Sequence, residues 1–600
     1  MWTRVRSPSI LTDTARAPQD VGRQDVSPPA PIPDWISDKE TSVDSIKDAQ
    51  GRLIPLNAQP PFPNGRFLLR EEPDEEAVPM DVLFVGGGPA GLAGAIELAR
   101  LVRRDAEQGG PLGELEIGVL EKAPGLGEHC MSGAVINPEP FRELFPDVPA
   151  AELPFRGAVG GEKVLMLTER GQRRLPVAPP MHNKGNQVAS LCEVVRWLGD
   201  RAEELGVNVF TGFPADALLM EGDAVIGVRT TPAGLDRDGH PGSGYVPPTD
   251  LTARVTVLSE GCRGPLTAAW LEEMGVGSAN PQIYALGVKE LWQVQTPIDR
   301  VIHTLGWPLP PDAFGGTWIY PMGEDLVSIG LVVGLDYRQT GLDVHELLQR
   351  AKGHPLFRGI LEGGEMLEWG AKTIPEGGWW SIPERLSGDG LLIAGDAAGL
   401  VDVPSLKGVH YAMWSGIYAA RAAFQALKAD DPTATALGEY DRLVRESVIA
   451  KDLYRRRNMR LAFKGGFKTG VVKSVLAIAT GGRIPGARIA VEEDAAEPRA
   501  ITPDAEFTPD GEYTFSKVDA VFRSGNTTRD DIPSHLIPPE QAGEELAQFY
   551  QHVCPAGVYE RGEDGLVVNA PNCIDCRATD VLGPRWTPRE GGSGPSYNRM

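Results

Sequence analysis

The chain has 600 residues, a formal net charge of -24 and six cysteines. That length exceeds one hydrophobic core and predicts roughly two to four domains, while the acidic balance argues against a nucleic-acid surface, which needs clustered Lys and Arg. An apolar fraction of 42% with 23% charged residues is ordinary for a folded globular protein, and six unevenly placed cysteines do not make a secreted disulfide scaffold, so thiols are left free to bind metal.

No apolar run is long enough to span a bilayer. The first twenty residues carry acids at Asp13 and Asp20 and lack the apolar core of a signal peptide, so a cytoplasmic protein is expected. Residues 1–75 are rich in Pro, Ser and Asp and predict an extended arm with little core of its own.

The first clear element is the apolar strand Asp81–Val85, which runs directly into Gly86-Gly87-Gly88-Pro89-Ala90-Gly91 and then into a helix. Strand, glycine turn and helix in that order predict a dinucleotide fold. Gly86 serves the tight bend, Gly88 the close approach of a pyrophosphate, and Gly91 helix–strand packing. A second strand, Leu115–Leu120, ends at Glu121, whose carboxylate can accept from a ribose hydroxyl. Far downstream, Gly390–Ala394 is another apolar strand, ending in Gly395-Asp396 before a helix. In flavoproteins of the glutathione-reductase and hydroxylase kind, a Gly-Asp there aims its carboxylate at the ribityl hydroxyls. The two halves together favour FAD over NAD, and no second glycine fingerprint predicts a separate nicotinamide domain. Between them, Val255–Leu258 and Leu326–Val333 read as strands, while His182 and His410 read as structural.

Residues 455–488 invert the local charge. No acid lies between Asp452 and Glu492, yet Arg455, Arg456, Arg457, Arg460, Lys464, Lys468, Lys473, Arg483 and Arg488 are interleaved with Leu, Phe, Val and Ile. That composition predicts an interfacial segment meeting anionic lipid; a basic loop or a docking face for an acidic partner is the alternative. Gly465, Gly466 and Gly470 argue against a continuous helix at its start. Near the C-terminus stand Cys554-Pro555 and Cys573-Ile574-Asp575-Cys576. Thiolates at short spacing with an adjacent Pro point to an iron-sulfur cluster, and a flavin in the same chain gives its electrons a destination.

In order along the chain, GGGPAGLAGAIELA, LEKAPGLGEHCMSGAVINP, GVKELW, GWPL, GLVVGLDY, EGGWWSIP, VPSLKGVHYAMWSG, CPAGVYE and EGGSGPSYNRM resemble the electron-transfer flavoprotein:ubiquinone oxidoreductase family, from about Asp81 to Met600. The resemblance implies an α/β chain with a Rossmann-like FAD-binding domain interleaved with a mixed-sheet quinone-binding domain, plus a C-terminal ferredoxin-like domain. The segments expected are the arm (1–75), the first part of the FAD domain (76–200), a mixed FAD and quinone region (201–385), the FAD return with the membrane-contact segment (386–490), and the iron-sulfur domain (491–600). It further implies FAD on Gly86, Gly88, Gly91, Glu121, Ser132 and Gly133, with Gly395 and Asp396 completing the site. Quinone would lie at Gly315-Gly316, where a hairpin turn is the plainer reading. The cluster would sit on Cys554, Cys573 and Cys576.

The expected activity is electron transfer from reduced electron-transfer flavoprotein to ubiquinone or menaquinone, with the redox cofactors and no catalytic side chain carrying the chemistry. The expected place is peripheral, on the cytoplasmic face of a bacterial inner membrane. Two departures stand out. Where the family has a fourth thiolate this chain has Thr579. That leaves a four-iron cluster with Thr579, Asp580, Asp575 or solvent as last ligand, a three-iron cluster, or none. Gly395-Asp396 replaces a different pair of mitochondrial members and restores the general flavoprotein pattern. The rival functions are an FAD-dependent reductase or hydroxylase of an apolar small molecule, and a cluster-deficient flavin-binding docking subunit.

Overall fold

A computed structural model of the protein describes residues 46–600 apart from 134, 505, 506 and 564. The first 45 residues of the expected arm thus lie outside the described residues. From Ile46 onwards the stretch contributes to the core: Leu53 and Phe67 are fully buried, and the Leu53 amide donates to the Arg499 carbonyl at 2.9 Å. The proline-rich composition hid these two apolar anchors.

The first sheet is nine-stranded. Its centre is the strand Val78–Val85, parallel both to Asp250–Leu258 and to Ile117–Glu121, with Asn208–Thr211 beyond and Leu391–Ile393 laid parallel against Asp250–Leu258. Val82, Leu83, Phe84 and Val85 are all buried, as expected of a parallel strand covered on both faces. The helix Pro89–Glu107 follows directly, with Gly88 at its N-cap and Pro89 opening it. It lies against the long helix Val409–Lys428, and Gly416 allows the crossing because a Cβ there would stand 2.0 Å from the Ala90 carbonyl oxygen.

The second sheet is seven-stranded, in the order Glu365–Pro375, Tyr284–Gln293, Leu326–Gly334, Gly315–Pro321, Val301–Gly306, Glu162–Leu167, Gln172–Leu175. All its neighbours are antiparallel except Val301–Gly306 with Glu162–Leu167. The chain therefore crosses between the sheets repeatedly: residues 162–175 belong to the second sheet, and residues 215–230 and 250–258 return to the first. Beneath the second sheet, Lys352 Nζ donates to both Glu290 oxygens at 2.9 Å, with both side chains fully buried. Residues 511–598 hold the helix Glu544–Val553, the hairpin Tyr559–Gly562 with Gly565–Val568, and the short helix Ala578–Leu582. Phe549, Leu582, Cys554 and Cys576 share one hydrophobic cluster with Tyr337 and Trp369, so the C-terminal part has no separate core.

Candidate functional site

A cavity of about 1120 Å³ opens between the two sheets. At one end lies the glycine turn. Gly86 has φ +115, and a Cβ there would stand 2.4 Å from the Ser259 carbonyl oxygen; a Cβ on Gly91 would stand 2.1 Å from the Gly86 carbonyl oxygen. Both are demanded by the protein's own packing. Gly88 differs: nothing lies within 4 Å of a Cβ built on it, so its face is open to the cavity, which it lines. Glu121 is tied to the turn, accepting from the amides of Gly87 at 3.1 Å and Ala123 at 2.8 Å. Burial pushes its carboxyl up while those amides oppose the shift. Asp396 lines the same cavity, and burial lifts its carboxyl to about 6, with Lys372 opposing. Gly86, Gly88, Glu121, Ser132, Gly133, Gly395 and Asp396 all line this cavity; Gly91 does not.

Gly315 and Gly316 also line the cavity, but they open the strand Gly315–Pro321 and form no hairpin turn. A Cβ on Gly315 would lie 2.0 Å from the Val332 carbonyl oxygen, and one on Gly316 2.2 Å from that of Thr304. The pair is required by strand packing itself. Beyond it the cavity reaches Phe463 and the helix Phe467–Ala479, whose Phe467, Val471 and Val475 line the mouth.

That helix is preceded by a 3-10 turn, Leu461–Gly465, and by Gly466 at φ +95, the break the glycines predict. Val472 is 60% exposed and Val475 58%. The bases divide into two sets. Lys468, Lys473, Arg483, Arg455 and Arg488 are exposed. Arg456 pairs with Asp402, Arg460 with Asp336 at 2.9 Å and Glu376 at 2.6 Å, and Lys464 with Asp336 at 3.3 Å, while Arg457 donates to the Tyr454 carbonyl. These four serve the protein interior, a correction to a reading in which all nine face lipid. A charge run in sequence does not reveal which members find buried carboxylates. No helix among the described residues is long and apolar enough to cross a membrane.

The three cysteines sit outside the cavity wall, yet their loop abuts it through Asp575 and Arg577. Cys554 caps the helix Glu544–Val553 and its Sγ accepts from the Val558 amide at 3.5 Å. Burial pushes all three thiols up, Cys573 to about 12, so they are neutral until a metal displaces their protons. The phenol of Tyr559 is buried and shifted up, by burial first and then by all three neighbouring thiols, with Thr579 beside it. Cys554, Cys573, Cys576 and Thr579 thus all act on this one phenol, and three thiols in one neighbourhood are a donor set whose chemistry fits an iron-sulfur cluster.

The two aspartates named as alternative ligands are held by basic partners, although Asp575 Oδ1 also accepts from Cys573 Sγ at 3.7 Å. Asp575 accepts from Lys122 at 2.5 Å, Trp586 Nε1 at 3.0 Å and Arg589 at 3.0 Å. Burial raises its carboxyl, but Arg589 and Lys122 outweigh that and hold it well below the usual range. Asp580 accepts from Arg263 and Arg577, each at 3.0 Å. Thr579, half-buried, and solvent are left. Sequence reasoning gave no site role to Lys122, His129, His303, Tyr320 or Arg460, although Lys122 and His129 lie within LEKAPGLGEHCMSGAVINP and Arg460 within the basic run already singled out. His182 is exposed, with Nδ1 2.6 Å from Glu162, and His410 is buried outside the cavity wall.

The layered fold is of the α/β kind built on a strand, glycine turn and helix of Rossmann type. Among solved structures it resembles a geranylgeranyl bacteriochlorophyll reductase-like protein from Thermoplasma acidophilum, with a TM-score of 0.51, 19% identity, and coverage of 68% of this chain and 96% of that one. Two families match, one described as "ETF-QO, ubiquinone-binding" over residues 284–374 and one as "Electron transfer flavoprotein-ubiquinone oxidoreductase, 4Fe-4S" over residues 511–598. The mitochondrial electron transfer flavoprotein-ubiquinone oxidoreductase of Arabidopsis thaliana is 37% identical over 587 residues, 91% of this chain and 89% of that protein. The Homo sapiens protein of the same description is 35% identical, covering 87% of this chain and 89% of its own. The chain belongs to the electron transfer flavoprotein-ubiquinone oxidoreductase family.

Proposed function

We propose that this protein takes electrons from reduced electron-transfer flavoprotein and delivers them to a membrane quinone. The observation that carries the reading is the single cavity running from the Gly86–Gly91 turn, past Gly315-Gly316, to an exposed apolar helix, with the cysteine loop against its wall through Asp575. FAD bound there would store two electrons and exchange them one at a time, and an iron-sulfur cluster would carry single electrons. Gly88 would leave room for the pyrophosphate, Glu121 orders the turn and would serve the ribose, Asp396 would accept from the ribityl chain, and Ser132 and Gly133 would border the ring. Cys554, Cys573 and Cys576 would hold the cluster as thiolates, with Thr579 or water in the place of a fourth. Lys122 bridges the two sites, reaching from the flavin wall to Asp575.

The helix Phe467–Ala479 has 13 residues, about 20 Å at the usual rise, which is too short to span but suits lying in the interface. Its exposed Val471, Val472, Val475 and Leu476 enter the acyl boundary while Lys468 and Lys473 meet anionic headgroups. Quinone then enters from lipid at the cavity mouth. The reading places the chain peripherally on one membrane face, the cytoplasmic one in a bacterium, with ubiquinone or menaquinone as acceptor. The test is anaerobic quinol formation by holoprotein with reduced electron-transfer flavoprotein as donor. A flavin that stays oxidised on addition of the reduced partner refutes it.

A further inference from the structure

The strands Val301–Gly306 and Gly315–Pro321 are antiparallel, with His303 opposite Trp318. Residues directly opposite, and every second residue along each strand, share one face. Gly316, Trp318, Tyr320 and His303 therefore lie on the same face, and all four line the cavity. The rings of His303 and Tyr320 meet edge to face at 5.2 Å, and Nε2 lies 2.5 Å from the tyrosine oxygen. Tyr320 also reaches the flavin wall: a Cβ on Gly133 would stand 3.3 Å from its ring.

The pair is more than nine-tenths buried, His303 at 7% exposure and Tyr320 at 6%, and His303 Nδ1 has no hydrogen-bond partner among the described residues. An unpaired polar atom that deep is costly unless something else satisfies it. Burial, helped by Lys407, pushes His303 down to about 3, so its ring is neutral; burial pushes the Tyr320 phenol up, so it keeps its proton. Lys407, another cavity residue, is the charged group that acts on the pair. Two arrangements remain. If Tyr320 donates to Nε2, the Nδ1–H lacks an acceptor; if Nε2–H donates to the phenol oxygen, the phenol O–H lacks one. Either tautomer leaves one proton of the pair without an acceptor among the described residues, in a cavity the pair lines together with Gly316.

We propose that the His303–Tyr320 pair hydrogen-bonds a carbonyl oxygen of the quinone and supplies that oxygen's proton as the quinone is reduced. The proposal rests on the quinone-reductase reading and adds a proton donor to a scheme that otherwise has none. Reduction of a quinone to its quinol takes two electrons, here from the reduced partner flavoprotein, and two protons. Tyr320 gives its O–H proton to the facing carbonyl oxygen and takes the Nε2 proton of His303. Nδ1 collects a proton from water, and the pair returns to its starting charge in the other tautomer. The second carbonyl oxygen takes its proton from water.

The test uses holoenzyme of wild type, Tyr320→Phe and His303→Gln, with reduced electron-transfer flavoprotein and a short-chain ubiquinone. Flavin content and the rate of flavin bleaching by the partner are recorded apart from quinol formation. Tyr320→Phe removes only the hydroxyl; His303→Gln keeps a hydrogen-bond partner for Tyr320 but cannot relay a proton. Loss of a positioned general acid lowers rates by about 100-fold or more. The expected result is therefore a fall of that size in kcat for quinol formation, with KM changed less than about threefold. In Tyr320→Phe the rate should fall as pH rises from 6 to 9, while wild type stays flat, because the proton must then come from solvent. Equal losses in flavin bleaching and quinol formation, or unchanged kcat and pH profile in both variants, would overturn the proposal. Wild-type flavin that bleaches without any quinol formed would instead refute the quinone-reductase reading.

Discussion

Gly88 separates what the fold needs from what the flavin needs. Its neighbours Gly86 and Gly91 could not carry a Cβ without meeting a backbone oxygen at 2.4 Å or 2.1 Å, whereas Gly88 meets nothing within 4 Å. Its backbone, φ -84 and ψ -173, is one that any L-residue adopts without strain. Gly88→Ala should thus leave the apoprotein nearly as stable as before, with a lost-entropy gain of about 0.4–1 kcal/mol against a weaker N-cap of similar size. Bound FAD is different. A methyl group forced into a packed contact costs about 1–3 kcal/mol, which is roughly a 5- to 150-fold loss of affinity. Fluorescence titration of deflavinated protein measures that affinity, and thermal unfolding of the same apoprotein measures the fold. Unchanged FAD affinity in Gly88→Ala, or an apoprotein midpoint several degrees lower, would refute the assignment of Gly88 to the pyrophosphate. Gly86→Ala, at φ +115, should unfold the turn whether or not flavin is present.

Thr579→Cys adds a thiolate where none stands, so iron per chain should rise to near four, with a low-temperature electron paramagnetic resonance signal seen only after reduction; unchanged iron content and spectrum would remove Thr579 from the cluster. Lys352→Met strands the fully buried Glu290 carboxylate and should cost about 3–5 kcal/mol at neutral pH, largely recovered in Lys352→Met/Glu290→Leu; chemical denaturation checks both, and a loss below about 1 kcal/mol contradicts the pairing. Val472→Asp/Val475→Asp, on the exposed face of Phe467–Ala479, should abolish sedimentation with anionic vesicles without lowering FAD content, and full retention of binding would displace the membrane contact. Burial lifts the Asp396 carboxyl to about 6, and ribityl hydroxyls donate best to its ionised form, so FAD affinity should strengthen as pH rises through 6; Asp396→Asn should flatten that dependence, and an equal slope in both proteins would contradict it.

The glycine turn, Glu121 and the Gly395-Asp396 strand end were legible because each is a local rule: a bend, a cap or a strand end that one residue type satisfies. The helix break at Gly465-Gly466 was legible for the same reason. What the sequence hides is partnership across the chain. Arg460 reads as one base in a basic run, yet it closes a buried network with Asp336 and Glu376. Asp575 reads as a candidate last ligand of the cluster, yet Lys122, Trp586 and Arg589 hold it at the cavity. His303 and Tyr320 are separated by a strand turn, and only sheet register puts them on one face. Leu53 and Phe67 were masked by surrounding prolines. The Gly315-Gly316 pair was singled out as the expected place for quinone, and the strands beside it turn out to require it for their own packing.

The central claim is electron transfer from a flavoprotein to quinone through this one chain, and the most direct measurement is anaerobic mixing of holoprotein with reduced electron-transfer flavoprotein and a short-chain ubiquinone. The account predicts quinol formation that requires both the partner and the quinone, with flavin bleaching on addition of the partner alone. Flavin that remains oxidised with the reduced partner, or quinone reduction that proceeds at the same rate from NADH with no partner present, would contradict it.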